Sequence, residues 1–186
     1  LKAEKTYIKT NNELRIGFFH AIKEKTEASI GDKLSGLNRT IVTEPFSNYN
    51  IVVLDQQYNQ NSSITLINTN VTRNGHARDG NVTGFLFDIN NKSNSFNFQG
   101  DLKISNVNNF SQNITGFASG FEVNRTKGKI RYGFEHNLAN ETYDINDLGL
   151  LFRNNFNNFE LELSYQIFEP TKYLNNYRIR LFSRHE

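Results

Sequence analysis

From Thr83 to Phe182 apolar and polar residues alternate with a period of two, and few folds tolerate that pattern. Thr83, Phe85, Phe87 and Ile89 alternate with Gly84, Leu86 and Asp88. Phe96, Phe98, Leu102 and Ile104 alternate with Asn97, Gln99, Asp101, Lys103 and Ser105. Phe117, Phe121 and Val123 alternate with Gly116, Ala118, Gly120 and Glu122, and Ile130, Tyr132 and Phe134 with Arg131, Gly133 and Glu135. Phe159, Leu161, Leu163, Tyr165 and Ile167 oppose Glu160, Glu162, Ser164 and Gln166; Tyr177, Ile179 and Leu181 oppose Arg178, Arg180 and Phe182. Successive side chains of a strand point to opposite faces, so each run has one apolar and one mostly polar face. The pattern predicts an all-β, antiparallel up-and-down meander of roughly nine or ten strands. The one helix-friendly stretch, Glu13–Glu27, is interrupted by Gly17-Phe18-Phe19 and reads better as a first strand over Glu13–Ile22.

Elsewhere the signal is thinner. Residues 1–12 are polar and read as irregular, and Lys23–Thr43 offers one strand around Ala28–Leu34. Glu44-Pro45-Phe46-Ser47-Asn48 reads as a loop, followed by β-branched strands over Tyr49–Tyr58 and Ile64–Thr72. Asn is concentrated between the runs, where its side chain supports turns.

Periodicity tells which residues share a face, not where that face looks. A soluble barrel turns the apolar face inward, and an outer-membrane barrel turns it toward lipid. Three features point to the membrane. The runs match the roughly 9–11 residues with which a tilted strand crosses a bilayer. The polar faces mix small residues with charges of both signs, and Tyr132, Tyr165 and Tyr177 sit near strand ends, where an interfacial girdle belongs. On this reading Gln99, Asp101, Lys103, Glu122, Arg131, Glu135, Glu160, Glu162, Arg178, Arg180 and Arg184 face a lumen. A loop after Pro170 centred near Tyr173 pairs Tyr165 with Leu181, Ile167 with Ile179, Gln166 with Arg180 and Glu162 with Arg184. The shared face of these charges is independent of that register, because a one-residue move of the loop centre shifts every partner by two.

Composition excludes several classes. A net charge of +2 makes no strong field for nucleic acid, and the absence of Cys removes thiol chemistry. The first residues lack the apolar core of a signal peptide, which leaves a cytosolic protein or a piece of a longer chain. Asp144-Ile145-Asn146-Asp147-Leu148-Gly149 imitates the start of a calcium loop, but Leu148 and Asn155 stand where ligands are needed, so it reads as a structural turn. His20, His76, His136 and His185 are scattered. The paired glutamates beside arginines read as salt bridges rather than an acid/base dyad. Gly116-Phe117-Ala118-Ser119-Gly120 reads as room for a bulky neighbour. The sequence thus indicates no enzyme, metal or cofactor.

The segments Glu44–Gln56, Asn61–Val71 and Tyr143–Asn155, the last with its Asp147-Leu148-Gly149-Leu150 core, resemble a Bacteroidota outer-membrane β-barrel family of unknown function. Its members carry an N-terminal domain similar to family 9 carbohydrate-binding modules. The likeness covers most of residues 13–182. It implies a barrel in the cell outer membrane, with the lipid bilayer as partner, and a chain of which residues 1–186 are a single β-barrel segment. It assigns no functional residues. Fold analogy then favours passage or uptake of small polar solutes such as oligosaccharides. The alternatives are a membrane anchor for a sugar-binding or processing domain, and a soluble barrel holding an apolar ligand.

Overall fold

The computed structural model describes residues 1–31 and 38–186. Among these residues the chain is all antiparallel β, without helix. Ten strands form one sheet: β1 (Lys2–Lys9), β2 (Leu14–Lys23), β5 (Ser47–Tyr58), β6 (Ser62–Arg73), β7 (Asp79–Asn90), β8 (Phe96–Asn109), β9 (Gln112–Arg125), β10 (Ile130–Ala139), β11 (Phe156–Ile167) and β12 (Tyr177–His185), in that spatial order. A separate hairpin of β3 (Thr26–Gly31) and β4 (Asn38–Glu44) is inserted between β2 and β5. From β5 onward each strand pairs with the next, which is the meander the alternation predicts. Among the described residues the sheet does not close on itself, and β1 and β12 are its edges.

Several expectations need correction. Residues 1–12 are not irregular, because Lys2–Lys9 pairs residue by residue with Arg15–Ile22 across a turn at residues 10–13. Both sides of that strand mix polar and apolar residues (Lys2, Glu4, Thr6 and Ile8 alternate with Ala3, Lys5, Tyr7 and Lys9), so it carries no periodic signature. The expected strand around Ala28–Leu34 coincides with β3 as far as Gly31, and the rest of that expectation lies outside the described residues; the partner strand β4 was not anticipated. The Glu44–Asn48 loop shrinks to Pro45 and Phe46, since Glu44 ends β4 while Ser47 and Asn48 open β5. The β11–β12 register also moves. Tyr165 opposes Ile179, Ile167 opposes Tyr177, Gln166 opposes Arg178, and Glu162 opposes Phe182 rather than Arg184. The cause is local: the Thr171 N–H donates to the Leu174 carbonyl at 2.7 Å, and the Leu174 N–H to Thr171 Oγ1 at 3.0 Å, placing the bend one residue earlier.

The two faces of the sheet are unequally covered, in the sense opposite to a soluble sandwich. Leu102 and Ile104 are 60% and 51% exposed, while Ser105 beside them is 0% exposed. Phe85, Phe98, Phe117, Leu161, Leu163, Ile179 and Leu181 are also exposed, whereas Ser47, Ser105, Ser164 and Gln166 on the other face are buried, together with the smaller apolar residues Ala21, Val71, Val107, Ala118 and Ala139. The sheet curls toward its polar face, since residues of five consecutive strands, β6 to β10, line one cavity on it.

Turns alternate between the two ends of the sheet. One end carries residues 10–13, 59–61, 91–95, 126–129 and 168–176; the other carries 24–31, 38–46, 74–78, 110–111 and 140–155. Asn59, Asn94 and Asn155 take left-handed backbone in these connections, as the crowding of Asn between the runs implies.

Candidate functional site

Opposed residues of an antiparallel pair point to the same side, so the register places all eleven anticipated polar residues on one face. Gln99, Glu122, Glu135, Glu160 and Arg184 form a single cross-strand row from β8 to β12. Asp101 and Lys103 follow at alternate positions on β8, and Arg131 opposes Ser164, which opposes Arg180. The structure divides these residues into two groups.

The first group lines a cavity of about 340 Å³. Gln99, Asp101, Glu122 and Glu135 contribute to it, joined by Asp88, Asn137, Ser63 and Thr65. Its polar atoms are extensively cross-linked. The Gln99 and Asn124 side-chain amides both donate to Glu122, and Asn137 donates to Glu135. Lys103 Nζ sits 2.9 Å from Asp101, and Asn97 donates to Asp88 at 2.6 Å. These amides, hydroxyls and carboxylates share the cavity wall with Leu86, Phe87 and Phe121.

The second group is a charge ladder across β11 and β12. Glu162 accepts Arg180 and lies 3.6 Å from Arg178; Arg184 lies 3.3 Å from Glu160. The shared face of these five residues is therefore as the alternation gives it, with Arg180 rather than Arg184 as the main partner of Glu162. Arg131 joins neither group, and its guanidinium lies 5.3 Å from the Phe168 ring.

The most buried part of the face was not anticipated as a site. The 140–155 connection folds back over the sheet as a strap. The Asp144 N–H donates to Ser105 Oγ at 3.1 Å, Thr142 donates to the Thr115 carbonyl at 2.7 Å, and the Phe117 N–H donates to Asn140 at 2.9 Å. Tyr143, 4% exposed, packs with Ala118 and Ala139, and Ile145, Leu151 and Phe156 gather around them. A Cβ added at Gly116 would strike the Tyr143 backbone, so the small residues of Gly116–Gly120 make room for a bulky neighbour as their spacing implies. At its tip the strap is held by two arginines of the β6–β7 turn region: Arg73 lies 2.8 Å from Asp147, and Arg78 lies 2.9 Å from both Asp144 and Asp147. Asp144 and Asp147 thus serve these arginines. Asp144 also accepts the Asn146 N–H at 2.9 Å, and Asn146 the Leu151 N–H at 2.8 Å, the capping expected of a structural turn.

Burial and neighbours set the ionisation of the strap. Burial would raise the Asp144 carboxyl, but the Asn146 N–H and the Arg78 guanidinium outweigh it and hold it below the usual carboxylate value. Burial, and secondarily the negative charge of Asp101, push the Tyr143 phenol up to about 12. The signal for the strap was in the sequence as acidic residues in one connection and arginines in another. Only the fold brings residues 73–78 and 144–147 together.

No curated protein and no solved structure matches the chain. A family described as a domain of unknown function, DUF5916, matches it over residues 1–186; the chain belongs to that family.

Proposed function

We propose that this chain is a segment of an outer-membrane β-barrel whose polar face lines a lumen admitting small polar solutes, oligosaccharides among them. The observation that carries the reading is the inverted partition of the sheet: large apolar side chains stand exposed on one face, while serines, amides, charges and smaller apolar residues such as Ala21 and Val71 occupy the other. Exposed apolar surface on this scale has to be covered, and a bilayer covers an alternating sheet without further partners. Strands β8 and β9, fourteen residues each, are long enough to cross it. Tyr58, Tyr132, Tyr165 and Tyr177 project from the apolar face at one end of the sheet, as an interfacial girdle does. The free edges are closed by further strands or by the approach of β12 to β1, since an open edge is not stable in lipid.

The strap favours a second reading. By occupying one end of the polar face it narrows any passage, and a permanently plugged barrel would serve as a membrane anchor for another domain. Single-channel recording on the full chain in planar bilayers separates the two. A conducting barrel shows discrete steps that grow when Asp147→Asn loosens the strap from Arg73 and Arg78. Inserted protein that conducts in neither form is an anchor.

A further inference from the structure

The end of the sheet bearing the tyrosines also carries an uncompensated basic patch. The β9–β10 turn reads Arg125-Thr126-Lys127-Gly128-Lys129, with Gly128 at a φ of 95° that tightens the bend. It is tied to the neighbouring 91–95 turn: Thr126 donates through its hydroxyl to the Asn94 carbonyl at 2.7 Å and through its N–H to the Ser95 carbonyl at 3.0 Å, and Lys127 reaches the Ser93 carbonyl. Lys92 belongs to that second turn. Among the described residues no carboxylate lies within ion-pair distance of Arg125, Lys127 or Lys129.

Directly beside this patch the outward face of β9–β12 is hollowed into an apolar groove of about 430 Å³, lined by Val123, Tyr132, Phe134, Leu161, Leu163 and Leu181. Arg125 connects the two features, since its guanidinium lies 5.9 Å from the centroid of the Tyr132 ring. Val123 and Arg125 alternate on the same side of β9, so groove and charge are continuous along one strand.

We propose that groove and turn together form a binding site for an anionic phospholipid, with an acyl chain in the groove and the phosphate among Arg125, Lys127 and Lys129. The inference rests on the membrane reading above and adds a ligand class to it. An apolar groove alone would take any acyl chain. The unpaired cations at its mouth select the headgroup, because basic residues at a membrane surface attract anionic lipid and gain nothing from a zwitterionic one. A small anion would satisfy the cations but leave the groove empty.

The test uses the full chain reconstituted in vesicles of phosphatidylcholine, with and without phosphatidylglycerol, followed by native mass spectrometry of the lipids retained on the released protein. Retention of phosphatidylglycerol over phosphatidylcholine is expected, with the preference falling about tenfold when Arg125, Lys127 and Lys129 are all changed to Gln. The pair Lys127→Gln and Lys129→Gln, confined to the turn, should show the same trend with the strands untouched. Equal retention of the two lipids, an unchanged preference in both variants, or displacement of phosphatidylglycerol by inorganic phosphate at matched concentration would overturn the proposal. Insertion without headgroup preference defeats only this inference; failure to enter either vesicle defeats the membrane reading and this inference with it.

Discussion

At the scale of single residues, Tyr143 does most to shape the polar face. Its backbone occupies the space left by Gly116, its ring rests on Ala118 and Ala139, and the following N–H is held by the fully buried Ser105. Removing its phenol from water, with Asp101 adding negative charge nearby, raises its ionisation to about 12. The sign follows from linkage. The folded state holds this proton more tightly than the unfolded chain does, so the contribution to stability is complete below about pH 10, the ordinary tyrosine value. It is lost as pH rises toward 12. Absorbance titration should show one of the eight tyrosines ionising late. Hydrogen exchange should show residues 140–155 opening over the same range, and Tyr143→Phe should abolish both effects. A tyrosine titration without a late component would mean that the strap leaves Tyr143 in water.

At the scale of elements, β11 and β12 pair charge with charge along one face. Glu162→Arg should lower the Tm of the folded chain, because it sets a third cation beside Arg178 and Arg180. Adding Arg180→Glu should restore part of the loss, whereas adding Arg184→Glu should restore less, since Arg184 is the partner of Glu160. Equal rescue by both reversals would point to net charge rather than pairing. The same elements mark how far the sequence was legible. Face assignment could be read directly, because alternation is a property of the strand itself: all eleven polar residues proposed for one face share it. Register could not, because it was fixed by the hydrogen bonds of Thr171 with Leu174 in a loop without a strong turn signature. β1 was missed because both its faces mix polar and apolar residues, so that its pairing with β2 rather than any alternation marks it as a strand. The strap was missed as a site because its defining contacts join Arg73 and Arg78 to Asp144 and Asp147 across some seventy residues of chain, a separation no local pattern reports.

At the scale of the whole molecule, the proposed function requires that the exposed apolar face meet lipid and that the polar face form an interior. The curl of the sheet, the strap on its polar side, the cavity with Asp88, Asp101, Glu122 and Glu135, and the aromatic end of the apolar side are mutually consistent under it. The chain has no cysteine, so a nitroxide can be introduced at one position at a time. A scan of Phe98, Gln99, Asp101, Leu102, Lys103 and Ile104 on β8, in reconstituted vesicles, measures collision with oxygen, which partitions into lipid, against collision with a water-soluble nickel complex. For a lipid-facing apolar surface, high oxygen and low nickel accessibility are expected at Phe98, Leu102 and Ile104, with the opposite at Gln99, Asp101 and Lys103. Labels at Phe98, Leu102 and Ile104 that meet the nickel complex as freely as oxygen, or that are shielded from both while the charged positions meet water, would contradict it.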